Sequence, residues 1–158
     1  MTWTPAQLKV AYQALSPTPA SYEAAAATLN AQTTTVTVSV PIMDVAAYLG
    51  LVGKLGALEA FAKSPPSGAS AESIAAAQGL WQMISSPDAF PPFDMENSTV
   101  ASAVEAMLAA LVSPGTGITG PIDSTDQATI LGLATQTVPA WQPAVTAGDV
   151  QTALALVP

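Results

Sequence analysis

Cysteine, histidine and arginine are all absent from this 158-residue chain. Without Cys there is no disulfide framework and no thiolate to serve as nucleophile or metal ligand; the composition fits a reducing compartment. Without His the Ser–His and Cys–His nucleophile systems are gone, together with the usual general base near neutral pH. A zinc site would have to be built from carboxylates alone, which is uncommon. Without Arg the planar fork that clamps phosphate or carboxylate substrates is lost. These absences point away from an enzyme, and no catalytic residue, cofactor or metal site is assigned.

Charge is also scarce: 9% of residues are charged against 50% hydrophobic, with a net charge of −8. Lys9, Lys54 and Lys63 are the only cations, and Asp88, Asp94, Glu96, Glu105, Asp123, Asp126 and Asp149 follow residue 80 with no base among them. Nucleic-acid binding needs Lys and Arg to displace counterions from phosphate, so no nucleic acid is expected as a partner. An acidic surface is likewise repelled by anionic lipid. No apolar run reaches the length of about 20 residues that spans a bilayer, so no membrane insertion is expected. The opening MTWTPAQLK lacks the basic and apolar regions of a secretory signal. Such an apolar chain is not disordered. Its sparse charge favours a surface partly covered by partners or by copies of itself.

What is present reads as a mainly α protein, a compact bundle of about six to eight short helices with one short β segment, in a single domain over residues 1–158. Thr4-Pro5-Ala6-Gln7 has the form of a capping box with Pro at the first helical position, and Trp3 and Leu8 stand at the staple positions. A second helix from Thr18-Pro19 would turn Tyr22, Ala26 and Leu29 inward and end at Asn30, making residues 1–31 a helical hairpin. Residues 33–41 change period: Val36, Val38 and Val40 alternate with Thr35, Thr37 and Ser39, the two-residue repeat of a strand. A strand leaves backbone groups unpaired unless it finds a mate. The internal candidates, 117–119 and 143–145, are short and broken by Gly or Pro. Either a short two-stranded ribbon or pairing with another chain by strand addition would satisfy it.

Central helices are expected over 42–112. Asp44 would cap the first, a break falls near Gly53, Ser70 starts a helix to Ser85, and Asn97 or Ser98 starts one carrying Val104, Leu108 and Leu111 inward. A C-terminal helical pair is expected over 121–157, opened by a second capping box at Ser124-Thr125-Asp126-Gln127. Gly50 to Gly56 superficially suggests a phosphate loop, but the glycine spacing is wrong and Leu55 stands where Ser or Thr belongs. Asp123, Asp126 and Asp149 sit at helix starts, where they cap free N–H groups. Asp88, Asp94 and Glu96 have the oxygens for a calcium ion but not the EF-hand spacing, and a solvated loop is the simpler assignment. Phe90-Pro91-Pro92-Phe93 holds two aromatics between prolines, either as an anchor that loses little entropy on docking or as a lid over the protein's own core. Val36, Val38, Val40, Phe90 and Phe93 are therefore the expected partner-contact residues.

Several stretches resemble a diffuse family of small, Ala-rich proteins encoded among the structural genes of tailed bacteriophages, often near tail and tail-fibre genes. They are Ala27-Thr28-Leu29-Asn30 leading into Thr35-Val36-Thr37-Val38, then Pro41 with Asp44-Val45, and Gly53-Lys54-Leu55-Gly56-Ala57-Leu58-Glu59-Ala60. The match continues in Ile130-Leu131-Gly132-Leu133-Ala134-Thr135, Val138-Pro139-Ala140-Trp141 and Thr146-Ala147-Gly148-Asp149-Val150. The resemblance implies a non-enzymatic component of the virion, made in the host bacterial cytoplasm, with other phage structural proteins or copies of itself as partners. A tail, baseplate or tail-fibre place is the first expectation and capsid decoration the second. An intracellular acidic inhibitor of a host nucleic-acid-binding defence protein is the alternative from another class.

Overall fold

The computed structural model describes residues 3–155; Leu156 and Val157, expected within the last helix, lie outside them. The described residues form eight α-helices and one two-stranded sheet, so the protein is mainly α. Where a single domain is expected, the chain divides into two compact units: residues 37–136 form one, and residues 1–36 with 137–158 form the other.

The larger unit holds α3 (Ile42–Leu51), α4 (Leu55–Lys63), α5 (Ala71–Ser85), α6 (Ser98–Val112) and α7 (Ser124–Gly132). Helix α5 lies at its centre, packed against α3, α4 and α6. Leu49, Leu58, Leu80, Leu108 and Leu111 are fully buried there, each contributing about 1.5–3 kcal/mol of transfer free energy. The starts of α5 and α6 are capped by Ser70 and Asn97 as the sequence indicates. Helix α3 differs. It begins at Ile42 behind Pro41, with no side-chain cap, and Asp44 sits in the first turn where it complements the helix dipole. Gly53, at φ +72°, takes the left-handed turn that ends α3 and starts α4. The two helices bend by 106° there, and no single described helix is long and apolar enough to cross a membrane.

The smaller unit packs α1 (Pro5–Gln13) and α2 (Tyr22–Asn30) against α8 (Ala147–Ala155). Its core is Leu8, Ala25, Ala26, Leu29, Val145, Val150 and Ala153, with Trp3 and Trp141 packed at its margin. The Thr4–Gln7 capping box forms as expected. Helix α2 starts later than Pro19, because the Ser21 hydroxyl accepts the Ala24 N–H and becomes the cap. Tyr22, expected to face inward, is the first residue of the helix and is exposed. Asn30 is not the C-cap: Ala31 is. The Asn30 amide instead donates to the Val145 carbonyl and accepts the Val145 N–H, both at 2.8 Å.

The sheet consists of β1 (Thr33–Thr37) and β2 (Thr135–Pro139), and each strand carries the chain from one unit to the other. The flanking bonds Val38 N–H to Ala134 O and Ala140 N–H to Gln32 O set an antiparallel register in which Thr35 stands opposite Thr137. Of the two solutions open to the segment, the short two-stranded ribbon within the chain is the one that forms, with a mate other than the candidates 117–119 and 143–145. The mate was hidden because TQTVP has one apolar side chain and ends in Pro, so no alternation marks it. Neither 117–119 nor 143–145 is a strand.

Candidate interaction surface

Adjacent positions in an antiparallel pair alternate between bonding across the ribbon and pointing away from it. With the register above, Thr34 and Val36 bond inward, while the N–H and C=O groups of Thr33, Thr35 and Thr37 point outward. No turn, loop or side chain among the described residues bonds to these outward groups. The side chains of Thr33, Thr35 and Thr37 are exposed too, and Val36 is half-buried. On β2 the outward positions are Thr135, Thr137 and Pro139, and Pro139 has no N–H to offer. The two edges are therefore unequal: one complete and open, one blunted by a proline.

The other expected contact residues are distributed differently. Val38 is half-buried beyond the end of β1. Val40 and Phe93 are core residues, 3% and 8% exposed. They are joined by a two-bond antiparallel bridge, Val40 N–H to Phe93 O and Phe93 N–H to Val40 O, both 2.9 Å. Phe90 is half-buried against the same core. The Phe-Pro-Pro-Phe loop thus covers the protein's own interior. As contact residues Val40 and Phe93 are corrected, because their backbone groups are used and their side chains are inside. Val36 and Val38 stay partly accessible.

Beside Phe93 lies an apolar hollow of about 280 Å³, bounded by Met83 of α5 and by Val100, Ala103 and Met107 of α6. A wider groove of about 560 Å³ runs along α4 to Gly120 and Pro121, with the Glu59–Lys63 pair at its rim. The hollow is lined by no ionisable side chain, and the groove by that pair alone, bonded to each other. No three acidic side chains converge as a metal site among the described residues, so Asp88, Asp94 and Glu96 are not a ligand set.

One polar constellation was not legible in the sequence. Asp126 is the one buried carboxylate among the described residues, 4% exposed. It accepts the Tyr48 hydroxyl at 2.8 Å and, through its other oxygen, the Asp123 N–H at 3.0 Å. Lys54 Nζ lies 3.5 Å from Asp126 and 3.2 Å from Asp123. The capping box of α7 begins one residue before the expected Ser124: Asp123 is the cap and Asp126 its reciprocal partner. Backbone N–H donation from Asp126, then the Lys54 ammonium, hold the Asp123 carboxyl below its ordinary value. The Asp123 hydrogen bond chiefly raises Lys54. For Tyr48 the Thr129 hydroxyl acts downward, but the Asp126 hydrogen bond, burial and the nearby negative charges outweigh it and leave the phenol raised. Each group is thus held in its ordinary charge state at neutral pH, which suits a clamp between α3 and α7.

Comparison with family models, with curated proteins and with solved structures gives no match. The chemistry of the surface therefore stands by itself. An unbonded strand edge is chemically suited to main-chain hydrogen bonding, and the clamp joins α3 to α7 within one unit.

Proposed function

We propose that this chain is a non-enzymatic structural component of a tailed-bacteriophage particle, associated with the tail, baseplate or fibre and working through contacts with other structural proteins or with copies of itself. The observation that carries the assembly role is the open outer edge of β1, where Thr33, Thr35 and Thr37 are exposed and their outward backbone groups have no bond among the described residues. Extended edges of this kind are templates for strand addition, and chains that must stay single usually blunt them with charge, proline or a bulge. The phage assignment is supported by the resemblance through residues 27–60 and 130–150. The sparse charge fits a surface partly covered in an assembly.

Mass spectrometry of purified particles from cells expressing the gene tests the role. Recovery of the polypeptide with the particle, and its loss from particles when the edge is blocked, are the expected results. A polypeptide that stays in the lysate in a salt-sensitive complex with a basic host protein would replace this role with the acidic inhibitor. The larger unit, which holds every acid except Glu23 and Asp149, would be the acidic surface in that case.

A further inference from the structure

We infer that the outer edge of β1 pairs with the same edge of a second copy, joining two ribbons into a continuous four-stranded antiparallel sheet about a two-fold axis at Thr35. This names the partner for the assembly role proposed above and rests on it.

Three observations select a second copy as the occupant. The first is self-complementarity. An antiparallel, two-fold pairing centred on Thr35 sets Thr33 against Thr37 of the other copy and Thr35 against itself. Every outward N–H on one copy then meets an outward C=O on the other, and the threonines stack as cross-strand pairs of a kind that stabilises sheets. The second is charge. No charged residue lies between Glu23 and Asp44 or between Asp126 and Asp149, so both strands and their flanks are neutral in a chain of net −8. Two copies can meet there without bringing carboxylates together, whereas a meeting through the larger unit would set acid against acid. The third is the inequality of the edges. Pro139 removes an N–H from the outer edge of β2, which would stop the sheet growing at its two far sides. A dimer closes; a filament does not form.

The pairing buries little apolar area, since Val36 is the only apolar side chain of β1. Association should therefore be concentration-dependent, with a dissociation constant on the order of 10–100 μM, the weak end of the range for specific contacts. Because the whole chain is acidic, added salt should strengthen it by screening the copies from each other.

Sedimentation equilibrium of the full chain, with amide hydrogen exchange read by NMR on the same samples, is the test. The expected result is an average mass that climbs from monomer toward twice that value with concentration. At a free monomer concentration equal to the dissociation constant, about two thirds of the chains are in dimers, so the Thr33, Thr35 and Thr37 amides should exchange about threefold more slowly than in the monomer. Thr35→Lys sets two ammonium groups face to face at the axis. Thr35→Pro removes the central outward N–H without touching a bond inside the ribbon. Both variants should remain monomeric with an unchanged far-UV spectrum; if Thr35→Pro fails to fold, Thr35→Lys decides alone. Monomer mass at millimolar concentration overturns the inference. So does a doubled mass with unchanged Thr35 exchange, or a Thr35→Lys protein that dimerises like the parent. A monomer recovered in purified particles would overturn the dimer and leave the structural role standing; a dimer absent from particles would do the reverse.

Discussion

Replacing Asp126 by Ala probes the most consequential polar contact in the larger unit. The carboxylate makes three interactions at once: the Tyr48 hydroxyl at 2.8 Å, the Asp123 N–H at 3.0 Å and the Lys54 ammonium at 3.5 Å. Hydrogen bonds to a charged group are worth roughly 1.5–3 kcal/mol, and loss of a capping interaction costs about 1 kcal/mol. The Lys54 pair adds less than about 1 kcal/mol, because its ammonium is one-third exposed and screened. Against these, Ala removes the cost of keeping a carboxylate out of water. The net loss should be about 2–4 kcal/mol, which at a urea m-value of about 2 kcal/mol/M lowers the unfolding midpoint by roughly 1–2 M. Urea titration followed by far-UV circular dichroism and by the fluorescence of Trp81, which packs against the core of the same unit, measures it. Tyr48→Phe alone should cost about 1 kcal/mol, and the double variant should show about 1 kcal/mol of coupling. A midpoint for Asp126→Ala within about 0.2 M of the parent, or zero coupling to Tyr48, would refute the clamp.

Three further outcomes follow from other contacts. Asn30→Ala strips both bonds from the Val145 peptide and should destabilise the smaller unit by about 1–3 kcal/mol, read from Trp141 fluorescence during unfolding. Gly120→Ala would drive a methyl group against the Leu111 and Val112 carbonyl oxygens at the end of α6. A loss of about 1–3 kcal/mol in thermal unfolding is expected, whereas Gly79→Ala, with open space around it, should stabilise α5 slightly. The pH profile should fall at both ends. The Asp123 carboxyl is lowered from 3.8, so its contribution is complete above that value and lost as pH falls through the folded-state pKa. Lys54 is raised from 10.5, so its contribution is complete below that value and lost as pH climbs through the folded-state pKa. Melting temperatures of Asp123→Asn across pH should show both limbs flattened.

The helices were readable because their signals are local. Thr4 with Gln7, Ser70, Asn97 and the glycine at 53 each act within a few residues, and the threefold and fourfold spacing of Val104, Leu108 and Leu111 marks a buried stripe wherever the helix ends up. What escaped depends on partners far along the chain. Strand β2 exists because β1 is there to pair with it, some hundred residues earlier, and TQTVP has no pattern of its own. The amphipathic Val repeat was read correctly as extended, yet Val40 serves a bridge to Phe93 that spacing cannot announce. Asp126 looked like any capping acid; its Tyr48 partner is on a helix 78 positions away. Asn30 could be seen as a polar residue closing a helix, but its bond to Val145 needs the C-terminal segment in place.

The ribbon also fixes an order of events during synthesis. Residues 37–136 are inserted between the two halves of the smaller unit, so the helices α1 and α2 leave the ribosome long before α8, against which both pack. At about 5–20 residues per second, the apolar faces around Leu8 and Leu29 wait roughly 5–25 s for their cover. The apolar faces of α1 and α2 stay open until α8 emerges, and whatever meets them first in that interval, chaperone or neighbouring chain, has an opening that the finished molecule closes.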